Sequence, residues 1–141
     1  MIILLCTILF CLYAALEGHR ESRHFYYRVS STRQDNYNEH AIFAIQRFIA
    51  WIPFEYVMFD SSNILTALNG VFLGFMFILW HDGVYYWTYN KLSGIYPLGF
   101  WDQSKTSNSW MDKHDLCNPV MRITYFVIGV VGLILINYAK Y

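Results

Sequence analysis

His81 and Asp82 stand side by side at the end of an apolar run. The whole stretch, Ile64 to Tyr89, is long enough to cross a bilayer, which takes about 20 residues of helix. Past His81-Asp82-Gly83 it continues as a tyrosine-rich band with Tyr85, Tyr86 and Tyr89. An imidazole beside a carboxylate can ligate a metal, carry a proton or form a hydrogen-bonded pair.

Other ionisable groups recur at helical spacing. Glu17, Arg20 and His24 fall at i, i+3 and i+7, on one face. His40 and Arg47 share a face at i, i+7. Arg47, Trp51 and Glu55 form a second stripe at i, i+4, i+8. Ionisable side chains inside an apolar helix normally face a bundle interior or water and mark functional positions. The plainer alternative for Arg47 is an interfacial helix from which its guanidinium snorkels to head groups.

Three chemistries fit these residues. Glu17, His24, His40, His81 and Asp82, converging from separate helices, would hold zinc, iron or manganese. An open position on that metal would activate a water for hydrolysis. Tyr27, Tyr85 and Tyr86 would orient ligands or substrate. Alternatively, Glu17, His24, His40, Arg47, His81, Asp82, Tyr85 and Tyr86 form a metal-free polar cluster tying helix ends together. In the third reading they are separately solvated. The sequence contains no HExxH, no GxSxG elbow, no phosphate-binding glycine loop and no CxxC. Cys6 and Cys11 lie about 140° apart around a helix, so they read as free thiols, like Cys117.

The elements that position these groups follow from the apolar runs. Spans are expected at about 2–18, 41–59, 64–82 and 120–139, with polar segments 19–40 and 83–118. The first run, MIILLCTILFCLYAAL, lacks a basic leader and an A-x-A-like site, so a retained first helix is expected. EGHRESRHFYYR can extend it past the lipid. Pro53 should kink or break the second helix. Gly70 and Gly74 form a GxxxG spacing; Gly129 and Gly132 form a notch on the last span. The third helix should stop near Gly94. Ser109 to Asp112 resembles a capping box opening a short helix. Asn118-Pro119 should start the last helix, with Asn as N-cap and Pro at N1. The aromatic-polar stretch 95–118 reads as an ordered cap.

Composition agrees with a membrane protein. The 141 residues give room for one domain, and 56% are hydrophobic against 14% charged, well below the ~25% charged of soluble domains. Zero formal net charge gives no electrostatic signal for nucleic acid. Arg20, Arg23, Arg28, Arg33 and Arg47 follow the first helix; Lys91, Lys105, Lys113 and Arg122 follow the third. Four spans place both groups on one side, cytoplasmic by the positive-inside rule, with both termini opposite. The expected fold is an all-α, integral membrane four-helix bundle with an aromatic-polar cytoplasmic cap.

The block HDGVYYWTYNKLSGIYPLGFWDQSKTS, with EGHRES upstream, resembles small multi-spanning proteins of bacterial and bacteriophage genomes. That resemblance implies a membrane fold and carries no activity. Three functions remain open from the residues. One is a structural or interaction protein, contacting lipid and either forming a homo-oligomer or serving as a subunit of a larger assembly. The second is a metal-dependent enzyme acting on a lipid-like substrate. The third is a holin- or channel-like permeability factor, with Gln46, Arg47, Glu55 and Asn69 as its polar residues.

Overall fold

A computed structural model of the chain is all-helical and describes residues 2–29, 39–57, 63–94, 99–101 and 110–138. Its helices are α1 (Ile2–Val29), α2 (Glu39–Val57), α3 (Asn63–Ser93), α4 (Trp110–Lys113) and α5 (Pro119–Tyr138). Among the described residues, α1, α3 and α5 are long and apolar enough to cross a membrane. Residues 58–62, between the second and third expected spans, and 95–98 and 102–109 of the expected cap lie outside the described residues.

The helix boundaries follow local chemistry. α1 runs on through EGHRESRHFYYRV, because Glu, Arg and Gln-like long side chains keep their rotamer freedom in a helix. α3 ends where Gly94 takes a φ of 62°, a left-handed turn that costs glycine little. Gly94 N–H donates back to Asn90 O at 3.1 Å. α5 opens on its expected cap: Asn118 Oδ1 accepts from the Met121 N–H at 2.9 Å. Pro119 follows at N1, where a missing N–H has no cost. Pro53 lies inside α2 without ending it.

Residue pairings fix the helix directions. Phe10 meets Phe77, Gly18 meets His81, His19 meets Thr88 and Tyr26 meets Tyr89. Both series rise together, so α1 and α3 run parallel. From α5, Gly132 meets Phe72, Phe126 meets Trp80 and Arg122 meets Tyr86. These series oppose, so α5 is antiparallel to α3. From α2, Phe43 meets Phe25, Arg47 meets His81, and Trp51 meets both Phe10 and Phe77. α2 is therefore antiparallel to α1 and α3, and it brings the chain back between them.

α3 is the central element, packed on α1, α2 and α5, whereas α1 and α5 make no close backbone approach among the described residues. The core is Phe10 and Ala14 of α1, Leu73, Met76 and Phe77 of α3, and Leu133 of α5. Trp51 and Phe54 of α2 pack against it. Glycines set the closest approaches. A Cβ on Gly18 would meet the His81 carbonyl, and a Cβ on Gly129 would lie 2.6 Å from the Phe72 carbonyl. Gly74 instead receives the flat face of a partner side chain, with Trp51 Cη2 2.9 Å from where its Cβ would stand.

Apolar side chains cover the surface as well as fill the core. Aliphatic side chains are exposed on every long helix: Leu5 and Leu9 on α1, Ile49 and Ile52 on α2, Val71 on α3, Ile134 and Leu135 on α5. The buried set includes Glu17, Glu21, Asn69, His81, Asn90 and Arg122. A soluble domain keeps contiguous exposed apolar patches small and almost never buries such charges unpaired.

Candidate functional site

The polar residues converge at the end where α1 and α3 leave their apolar runs and α2 begins. Parallel α1 and α3 bring Glu21 and His81 to one depth, and antiparallel α2 delivers Arg47 to the same level. Gly18 makes this possible. It lies one turn before Glu21, and its missing side chain lets α1 approach the His81 backbone.

His81 is the centre. Its Nδ1–H donates to Asp82 Oδ1 at 2.7 Å. Its Nε2 lies 2.8 Å from both Glu21 Oε2 and Arg47 Nη2. Arg47 Nη2–H also donates to Glu21 Oε2. One nitrogen cannot serve both neighbours in one way. With a proton, Nε2 donates to Glu21; without one, its lone pair accepts from Arg47. The four groups are thus hydrogen-bonded to one another in either state, while the buried Arg47 Nε has no partner among the described residues. Two carboxylates and one guanidinium leave one excess negative charge, which an imidazolium at His81 cancels.

The walls around this network are aromatic. The His81 ring stacks between Phe77 and Tyr85, with centroid distances of 4.9 and 6.3 Å. Tyr85 stacks in turn on Tyr89 at 6.0 Å. The Arg47 guanidinium carbon lies 5.5 Å from the Phe77 ring centroid, a cation–π distance. Glu21 and His81 are 6% and 7% exposed, so their hydrogen bonds act at low local dielectric. There such bonds are strong when complete, and an unpaired partner is costly.

Satellite contacts extend the network along the same end. Arg20 bridges Glu17 Oε1 and Gln46 Oε1, both at 2.7 Å, joining α1 to α2. His19 Nδ1 lies 3.1 Å from Thr88 Oγ1, joining α1 to α3. On the far side of α3, Arg122 is fully buried. It donates from Nη1 to Phe100 O and from Nη2 to Trp101 O, each at 2.9 Å. Its guanidinium also sits 5.6 Å from the Tyr86 ring centroid. Phe100 lies over Gly83, where a Cβ would meet its ring. The short segment 99–101 is thus held across the ends of α3 and α5.

Of the residues expected at the site, Arg47, His81 and Asp82 are hydrogen-bonded together and Tyr85 stacks on them. Glu17 pairs instead with Arg20, which also donates to Gln46. His24 turns to the aromatic side, edge-on to Phe25 and Phe43. Tyr86 belongs to the Arg122 contact. His40 lies in the first turn of α2, with its side chain outside the described residues. Among the described residues no three His, Cys, Asp or Glu side chains are grouped to hold a metal ion. The geometry gives a reason. The Arg47 cation stands beside His81 Nε2 and Glu21, where a ligated cation would have to sit.

Glu21, Arg122, His19 and Thr88 are not among the residues expected at the site. Glu21 had a signal: Phe10, Ala14 and Gly18 at i+4 spacing mark the face of α1 that meets α3, and Glu21 continues it. Arg122 carries a weaker one, an arginine one turn inside an otherwise apolar helix. No family model, curated protein or solved structure matches the chain.

Proposed function

We infer that the chain is an integral membrane protein of structural or interaction type, with four crossing helices. Its charged network ties α1, α2 and α3 together at the shared polar side. The observation that carries this reading is the set of exposed aliphatic side chains on all four long helices, together with buried Glu21, His81 and Arg122. Lipid is the solvent in which such a surface is favourable. It is also the setting in which buried polar groups must satisfy one another.

α2 is the decisive helix for this reading. Its length, about 28 Å at ~1.5 Å per residue, nearly matches a hydrocarbon core of about 30 Å. Arg47 opposes its insertion, since an arginine in hydrocarbon costs up to about 3 kcal/mol on insertion scales. Pairing with Glu21 and His81 offsets that cost, and Ile45, Phe48, Ile49 and Ile52 present an apolar outer face. Running antiparallel between parallel α1 and α3, α2 is also the return that their common direction demands.

The hydrogen bonds of Glu21, Arg47, His81 and Asp82 run to one another. That suits a fixed joint between helices better than a site with an open position for substrate. Partners in this reading are the lipid around the belt and further copies or other membrane subunits. Alkaline carbonate washing of membranes containing the protein tests embedding. The protein is expected to stay in the pelleted membrane; release into the supernatant would contradict the proposal.

A further inference from the structure

α2 is held differently from the two helices it packs on. α1 and α3 meet backbone to backbone at Gly18, where a side chain would run into the His81 carbonyl. α2 is attached mainly through side chains. Trp51 and Phe54 pack on the core, Gln46 accepts from Arg20, and Arg47 bonds to Glu21 and His81. Trp51 lies one turn from Arg47, with its ring over Gly74. That contact is a pivot for the end of α2 that carries Arg47.

His81 Nε2 is where this end meets α3, and the atom has two incompatible uses. It lies 2.8 Å from Glu21 Oε2 on α1 and 2.8 Å from Arg47 Nη2 on α2. A neutral ring whose proton sits on Nδ1, facing Asp82, offers its lone pair to Arg47 and no donor to Glu21. A protonated ring donates to Glu21 and places a second cation beside the guanidinium. Each state carries one deficit. The neutral ring leaves Glu21, Arg47, His81 and Asp82 with one excess negative charge in a buried site. The protonated ring cancels that charge but sets two cations in contact. Two states with opposite deficits make a bistable element.

Other charged and titratable groups surround the ring. From α1, Glu17 pairs with Arg20, Tyr13 packs on Phe77, and His24 turns to Phe25 and Phe43. From α3 itself, Asp82 bonds Nδ1 and Tyr85 stacks on the ring. The side chains of Glu39 and His40 on α2 lie outside the described residues. Arg122 of α5 is on the far side of α3. Protons reach the site past Asp82 and Arg47, whose side chains are 20% and 28% exposed.

Building on the joint reading above, we propose that His81 Nε2 is a proton-binding site that sets how α2 docks. Without the proton, it accepts from Arg47 and holds α2 on α3. With it, His81 donates to Glu21, and the Arg47 end of α2 moves off α3 about the Trp51 contact. The α1–α3 pair, fixed at Gly18, does not move.

The test follows protonation and helix position together in nanodiscs. Cys6, Cys11 and Cys117 are replaced by serine or alanine. Nitroxides are then placed through Ile45→Cys with Val71→Cys, and in a second variant through Leu16→Cys with Val71→Cys, all at exposed positions. Pulsed electron spin resonance gives both distances between about pH 9 and about pH 5, the range that brackets histidine titration. Nitrogen-15 resonances of the histidine rings give the protonation state of His81. On acidification the Ile45–Val71 distance should lengthen by about 2 Å, the size of helix shifts in switching proteins. The Leu16–Val71 distance should stay constant. The change should track His81, whose neutral form should carry its proton on Nδ1. Arg47→Met should abolish the distance change while His81 still titrates; His81→Gln should abolish it outright. Should either variant misfold, as its elution volume would show, the remaining one and the unsubstituted network decide. A His81 that keeps one protonation state throughout, a neutral ring protonated on Nε2, or a titration with no distance change would overturn the proposal. So would equal movement of both pairs. Failure of the joint reading looks different: the Ile45–Val71 distance is broad at every pH, because α2 is not docked.

Discussion

Arg47→Met is expected to lower stability by about 3 kcal/mol, the low end of what removing one partner of a buried ion pair costs. Arg47 is itself partly accessible, with 28% of its side chain exposed, which favours the low end. Methionine keeps the length and the apolar stem against Phe77 and removes the charge. Glu21 then stays buried with one fewer donor, and α2 loses its main polar tie to α1 and α3. Reversible unfolding in mixed micelles, followed by circular dichroism, gives the free-energy difference. Glu21→Gln in the same background completes a double-mutant cycle. The double variant should lose clearly less than the two single losses added together, because each single change already breaks the shared contact. Additive losses, or a neutral Arg47→Met, would mean that the guanidinium is merely solvated.

Gly18→Ala should be comparably damaging, at about 3 kcal/mol, the upper end for overpacking. Its new Cβ would run into the His81 carbonyl, which is backbone and cannot swing aside. α1 and α3 must separate, and the Glu21–His81 hydrogen bond lengthens with them. Gly132→Ala is the control. The three atoms nearest its Cβ would all belong to the ring of Phe72, a side chain that can shift where a backbone carbonyl cannot, so a smaller loss is expected in the same unfolding measurement. Equal losses at the two positions would contradict the close backbone contact at Gly18.

Much of this framework is legible in single residues. Asn118-Pro119 marks the start of α5 and Gly94 the end of α3, because capping and left-handed turns are local chemistry. His81-Asp82 stands out because it ends a long apolar run. Glu21 did not stand out, since Glu17, Arg20 and His24 occupy an equally plausible face of the same helix. Choosing between faces requires knowing where α3 lies, which is a tertiary fact. The same limit applies to His24, whose neighbours Phe25 and Phe43 come from two helices. The Gly129–Gly132 notch was readable as a close approach, but its partners Phe72 and Met76 were not. The aromatic stretch 95–118 reads as a cap, and half of it lies outside the described residues; the clamp of Arg122 on Phe100 O and Trp101 O depends on α5 returning beside α3.

The most direct measurement of the central claim, that α2 crosses the membrane with the charged network at one side, is cysteine accessibility. Cys6, Cys11 and Cys117 are first replaced by serine or alanine. Single cysteines then go at Ser31, Ser61 and Ser104 in separate variants, and intact membranes are treated with an impermeant maleimide. Ser31→Cys and Ser104→Cys should react from one side, and Ser61→Cys only from the other. Reaction of all three from the same side would contradict a crossing α2.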